Sequence, residues 1–146
     1  MAVITQAEIE DRIGSAELIR LTDDTATGSV DADNLARAVA EGESEILARV
    51  AHKYTLPLGL SDTTTSAAVK TYLIDAIVYR LAVRRDAVSE EIAAMYRAAI
   101  AWADKVAAGA IGLDGETLRG SSPAPGGSIR IDSTERVIDR ESMNGL

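Results

Sequence analysis

The sequence predicts an all-α protein, a small helical bundle of three longer helices and two short N-terminal ones, with an extended C-terminal arm. The apolar residues are mostly aliphatic, with no Phe and one Trp, which favours packed helices. Up to Gly109 they recur with a period near 3.6 residues between capping signals. Beyond Gly109 the chain is rich in Gly and Pro, which do not sustain a helix. We therefore divide the chain into a helical domain, residues 1–109, and an arm, residues 110–146.

Composition limits the classes of function. The chain has no Cys, which removes disulfides and thiolate chemistry. No apolar run approaches the ~20 residues that span a bilayer, and residues 1–6 lack the basic region of a signal peptide. We expect a protein made and used in the cytoplasm, or in a particle assembled there, with no membrane partner. A net charge of −8 argues against wrapping nucleic acid but suits a wall that DNA slides past.

Two short helices are predicted at the N-terminus. The Thr5 hydroxyl and the Glu8 carboxylate have the spacing of a capping box, in which each accepts from the other's backbone amide. The first helix should end at Gly14 in a left-handed conformation. Ser15 should then cap a second helix over residues 16–21.

A third helix is predicted over residues 32–53, after a polar loop at 22–30 and an N-cap at Asp31. Its apolar stripe consists of Leu35, Val39, Gly42, Ile46 and Val50. Gly42 within a helix costs ~1 kcal/mol relative to Ala, so we expect a close helix crossing there. Three acidic residues should lie mostly off the stripe: Glu41, Glu43 and Glu45.

The fourth helix, about residues 66–85, is apolar on nearly every side, after a turn and cap at 61–65. Such a helix is central, or is shared between the core and a neighbouring subunit. Asp75 and Arg80 lie ~140° apart around its axis, so each should find a partner on another helix or subunit. We assign four residues of this helix to the core or to a subunit interface: Tyr72, Asp75, Tyr79 and Arg80.

The fifth helix is predicted to begin after Ser89 and to end at Gly109, where the arm starts. Residues 121–127 are Ser, Pro, Ala and Gly only, yet apolar residues follow them. A linker has no use for such residues, so the arm is predicted to bind a partner. The alternation of two isoleucines could add a strand to a partner's sheet edge. The proposed anchors are Ile129, Ile131, Val137, Ile138, Met143 and Leu146.

Few residues are candidates for chemistry. Residues 23–34 have the length of an EF-hand loop, with Gly28 at its turn position, but most of its acidic ligands are missing. The favoured interpretation is a Gly turn leading into the Asp31 cap. His52 is the only histidine, so a zinc site or catalytic triad lacks partners. Arg84–Arg85 should complement the helix dipole. We expect no enzyme, no metal and no cofactor.

Several segments form an ordered set over the whole chain: residues 4–9, 17–23, the acidic loop into the Asp31 helix, 51–58, Asp75 with 79–81, and 136–146. In this order they resemble the Mu-like prophage family of small head proteins, catalogued as a domain of unknown function. In that family the last residue is often aromatic and the tail often reads Arg-Val-Phe. Here the corresponding residues are Leu146 and Ile138.

The resemblance implies a helical adaptor of the head–tail connector in a tailed phage. Such adaptors form a dodecameric ring under the portal protein and extend the DNA channel, with a stopper or tail-completion protein below. It thus implies a virion protein of the phage neck, assembled in the host cytoplasm, that passes DNA without binding it specifically. The arm would dock on the portal or on neighbouring subunits. Two alternatives are a stopper or tail-completion protein of the same neck, and a calcium-responsive helical binding module.

Overall fold

The computed structural model describes residues 2–120, and within them the chain forms five helices. They confirm the predicted all-α bundle of two short and three longer helices. None of them is both long and apolar enough to cross a membrane. Their bounds are α1 (Gln6–Ile13), α2 (Ser15–Thr22), α3 (Ala32–Val50), α4 (Thr63–Arg84) and α5 (Glu90–Ala107).

Helix α4 lies at the centre of the bundle. Helices α3 and α5 pack against it and against each other, and α1 and α2 pack together across one side of it. The side chains of Leu73, Ile77 and Leu81 are fully buried. Ile9 of α1 and Leu18 of α2 are buried in the same cluster, so the short helices close the core.

The crossing of α3 and α4 is closest at Gly42. A Cβ atom added there would stand 2.7 Å from Cγ1 of Ile77 and 2.9 Å from its Cα and N atoms. Real Cβ atoms essentially never make such contacts. The expected close crossing is therefore confirmed, and its partner is the backbone of α4 itself.

Local capping signals place most helix starts. The Thr5–Glu8 capping box is present, and Gly14 follows α1 with a φ of +85°. The Asp31 carboxylate accepts from the amides of Asp33 and Asn34 at the start of α3. The Ser89 hydroxyl accepts from the amide of Ile92 at the start of α5.

Three predicted boundaries were wrong by one to three residues. Helix α4 begins at Thr63, because the Asp62 carboxylate accepts from the Thr65 amide and caps it earlier than predicted. Helix α3 ends at Val50, and the next three residues form a turn. Ser15 is the first residue of α2, and the capping position is Gly14, which makes no side-chain cap.

The first part of the predicted arm, residues 110–120, packs against the helical domain. Leu113 is buried, and its amide donates to the Tyr54 hydroxyl over 2.8 Å. Tyr54 also forms an isolated antiparallel bridge with Leu118. Its Gly and turn residues predict an extended stretch, but Leu113, Ile111 and backbone hydrogen bonds hold it on the bundle. The rest of the predicted arm, residues 121–146, lies outside the described residues.

Gly42→Ala should lower the free energy of unfolding by ~1–3 kcal/mol, because the added methyl group overpacks the crossing. Helix propensity alone would give the opposite sign, a gain of ~1 kcal/mol. Urea unfolding followed by circular dichroism measures the difference. Ser44→Ala, at an exposed position of the same helix, is the matched control and should not destabilise. A Gly42→Ala variant more stable than the parent would contradict the close crossing.

Candidate functional site

The N-terminal segment is anchored on α3 by a buried carboxylate. Oε1 of Glu43 accepts from the amides of Val3 and Ile4, each over 2.7 Å. Glu43 is only 7% exposed, although the sequence placed it off the apolar stripe. Its spacing was the missed signal, since it lies four residues after Val39 and three before Ile46 and so shares their face.

An open apolar groove lies between this anchored segment and α3. Its volume is about 410 Å³. Small alanines leave the space, and larger aliphatic side chains form its floor. We call it the α3 groove, lined by Ala2, Ile4, Gln6, Ala32, Leu35, Ala36, Val39, Ala40 and Glu43.

A second acidic residue of α3 joins the three long helices. The Glu45 carboxylate accepts from Arg80 of α4 over 2.6 Å and from the Tyr96 hydroxyl of α5 over 2.7 Å. Burial raises the pKa of Glu45. The two hydrogen bonds together lower it by more than burial raises it, so the pKa lies below its usual value. Burial and the bond to Glu45 raise the pKa of Tyr96. Arg80 thus has its predicted partner on another helix.

The two predicted tyrosines of α4 stack on aromatic rings of α5. Tyr79 lies on Tyr96 with ring centroids 3.9 Å apart, which places it beside the Glu45 network. Tyr72 lies on Trp102 with centroids 4.6 Å apart. Both tyrosines are half-buried, so each packs in the bundle and also reaches its surface.

Asp75 pairs with an arginine from the first helix. Both Nε and Nη2 of Arg12 donate to its Oδ1, over 3.2 and 2.9 Å. Asp75 is 5% exposed, so this partner offsets the cost of burying its charge. The pair borders an open cleft of about 590 Å³ between α1, α4 and the start of α5. The structure thus brings neither Tyr72 nor Asp75 to Arg80, and each has its own partner.

Acidic side chains of the loop between α2 and α3, residues 23–31, hold the loop in place. The Asp23 carboxylate accepts from the amides of Gly28 and Thr25, and these bonds, that from Gly28 above all, lower its pKa. Asp31 caps α3. Across residues 2–120, no group of three or more acidic or histidine side chains is arranged to hold a metal ion. The loop geometry fits the Gly turn and cap.

The paired arginines at the end of α4 bind this loop. Arg84 donates to the Asp24 carboxylate and to the carbonyls of Leu21 and Thr22. Arg85 donates to Asp24 over 2.9 Å. The hydrogen bond from Arg84 is the main cause that lowers the pKa of Asp24. Arg84 therefore caps the last carbonyls of α2, and both arginines pair with Asp24, a role beyond the predicted dipole complement.

The last described residues are held against the body by hydrogen bonds. The Glu116 carboxylate accepts from the amides of Gly59 and Leu60, over 2.8 and 2.6 Å. The Arg119 amide donates to the Lys53 carbonyl over 2.8 Å. The chain thus reaches Gly120 beside the end of α3. The predicted arm anchors all lie outside the described residues: Ile129, Ile131, Val137, Ile138, Met143 and Leu146.

Residues 2–120 form a packed helical body in which charged side chains join one helix to another. Residues 4–130 match the family described as Bacteriophage Mu, Gp36. The chain belongs to this family. The match covers the five helices and continues past Gly120, and it confirms the resemblance to Mu-like phage proteins. No curated protein matches the chain. As a member of the Bacteriophage Mu, Gp36 family, it is a phage structural or morphogenesis protein.

The ion pair between Lys70 and Glu8 should make the stability of the protein depend on pH. The hydrogen bond from Lys70, 2.6 Å long, and the capping bond from the Thr5 amide lower the pKa of Glu8 from 4.5 to about 2. A carboxyl with a lowered folded pKa stabilises the protein above its unfolded pKa and loses that contribution as the pH falls.

Lys70→Gln should therefore cost about 0.2–1 kcal/mol at neutral pH, the range of partly exposed pairs. The cost should shrink as the pH falls from 4.5 towards 2, since Glu8 takes up a proton in the unfolded chain below its ordinary pKa but in the folded parent only near pH 2. Urea midpoints across this pH range measure it. Lys105→Gln removes an exposed lysine without an ion pair among residues 2–120 and should cost little at any pH. A Lys70→Gln penalty that does not vary with pH would contradict the assignment.

Proposed function

We propose that the chain is a head–tail connector adaptor that forms a ring beneath the portal protein and extends the DNA channel. The observation that carries this proposal is the family match over residues 4–130 to a bacteriophage Mu protein. A ring of twelve subunits is the form that the resemblance implies. The C-terminal segment, residues 121–146, docks on the portal or on neighbouring subunits.

The internal use of charge supports a structural role. Glu45 and Asp75 each bind an arginine of another helix, and Asp24 ties the loop after α2 to Arg84 and Arg85. Glu43 binds the N-terminal segment. These bonds hold helices in fixed relative positions, as a ring subunit needs if its contacts are to repeat around a closed symmetry.

The negative net charge of the chain supports a role in lining the DNA channel. A net charge of −8 opposes attraction to phosphates, because neutralising phosphates with Lys and Arg is what provides most nonspecific DNA affinity. A channel wall that repels DNA weakly lets it move without being held. We expect DNA to pass through the ring without specific contacts.

The C-terminal segment supports docking. It follows Gly120, next to the hydrogen bond between the Arg119 amide and the Lys53 carbonyl. Its apolar residues alternate or pair after a Gly- and Pro-containing stretch. Weak contacts of such a segment, repeated around a ring, add up through effective concentration.

The chain expressed with the portal protein of a Mu-like phage should form a ring-on-ring complex. Mass photometry gives the copy number, and negative-stain electron microscopy shows whether this ring touches the portal. A chain that stays monomeric and ignores the portal would refute the proposal. A ring that contacts only the tail side would instead indicate a stopper or tail-completion protein.

Deletion of residues 121–146 should weaken portal docking by about tenfold or more, given the gain that linked contacts provide. The far-ultraviolet circular dichroism should keep its helical signal, because the five helices precede Gly120. Replacement of residues 121–127 by a Gly/Ser stretch of equal length keeps all six apolar anchors, so it is the matched control and should have a smaller effect. Unchanged docking after the full deletion would count against the role of the segment.

A further inference from the structure

The exposed large hydrophobic side chains within residues 2–120 lie in two pairs at opposite ends of the bundle. Val83 and Val88 flank the turn between α4 and α5, and Val88 is 42% exposed. Leu56 and Leu118 lie beyond the end of α3, where Tyr54 forms its bridge, and Leu56 is 39% exposed. Helix α4 has 22 residues and so separates the two ends by ~33 Å. The two pairs are therefore separate surface patches.

The end of the bundle that carries the two valines is acidic. We call it the acidic end, residues 23–34 and 84–91. It holds seven acidic residues and two arginines, and both arginines pair with Asp24. Asp86 and Glu91 are exposed and form no ion pair within residues 2–120. Contact between two acidic ends would bring like charges together, which costs free energy.

The opposite end of the bundle contains an open pocket of about 270 Å³. An aliphatic cavity of ~150 Å³ binds benzene, so this volume has room for a valine side chain. Its apolar surface comes mainly from a leucine and a tyrosine, and an arginine lies at its edge. We call it the end pocket, lined by Ala51, Tyr54, Thr55, Leu56 and Arg119.

The charges that remain available beside the end pocket are mostly positive. Lys53 and Lys105 form no ion pair among the described residues, and Arg119 is exposed. Three of the four acids in residues 49–62 and 104–120 are engaged in a cap, an ion pair or hydrogen bonds to amides: Asp62, Asp104 and Glu116. The fourth, Asp114, is exposed. The end pocket thus combines apolar surface with an excess of available cations.

The two ends of one chain are complementary to each other. A valine beside exposed carboxylates at one end matches an apolar pocket beside exposed cations at the other. A contact of this kind joins copies head to tail, and such heterologous contacts close into a ring when the rotation between copies permits it. A two-fold contact through either end would instead pair like charges, which the distribution of charge opposes.

We propose that Val88 of one copy docks in the end pocket of a second copy, with Asp86 and Glu91 facing the cations beside that pocket. The inference rests on the proposed ring and assigns its subunit contact, with one acidic end and one end pocket used per copy. It uses no residue of the C-terminal segment.

Cysteine cross-linking tests this contact, because the chain has no Cys of its own. Val88→Cys in one batch and Leu56→Cys in a second, differently tagged batch are mixed, assembled with the portal and treated with a short bismaleimide. The mixture should give dimers that carry both tags, whereas either batch alone should give none. Ala98→Cys, exposed in the middle of α5, replaces Val88→Cys in the control and should give at least about tenfold less mixed dimer.

A chain that carries both Val88→Cys and Leu56→Cys should give a ladder of covalent multimers, because its two sites lie too far apart to join within one copy. Absence of mixed dimer in an assembled ring would overturn the inference and leave the proposed function standing. Cross-links within a single batch would overturn it in favour of a two-fold contact, and cross-links from Leu56→Cys to the portal would assign the pocket to the portal instead. Failure of the parent chain to form a ring, measured by mass photometry before cross-linking, would refute the proposed function and the inference together.

Discussion

The structure depends on the close crossing of α3 and α4 at Gly42. With no side chain between them, the two helix backbones meet at Ile77. The neighbours of Gly42 are placed as a result: Glu43 turns to the N-terminal segment and Glu45 turns to Arg80. A larger residue at this point would move both carboxylates away from their donors.

Most contacts around α4 lie within the subunit, and a few groups also reach its surface. Around α4, Lys70, Asp75 and Arg80 each form an ion pair with a residue of another helix, which offsets part of the cost of burying their charges. Tyr72 and Tyr79 stack within the bundle and also reach its surface. The α3 groove is apolar surface that the described residues leave open.

The sequence predicts the helices well because their signals are local. Thr5, Asp31 and Ser89 cap their helices whatever packs around them, and Gly42 marks a close approach by its position on a stripe. The polar partners were not predictable, since the pairing of Glu45 with Arg80 depends on the register of two helices. Residues 110–120 were predicted to belong to the extended arm, and their packing on the bundle was not predictable for a similar reason. Their anchors, Tyr54 and the amides at Gly59 and Leu60, lie far away in sequence.

The central claim is that one subunit forms the bundle alone and that assembly uses its surface and the C-terminal segment. Hydrogen–deuterium exchange of the free chain and of the chain bound to its portal tests it most directly. The amides of α4 should be equally protected in both states, with new protection in the C-terminal segment. Strong new protection of α4 on assembly would contradict the claim, because it would mean that the central helix is completed by a neighbour.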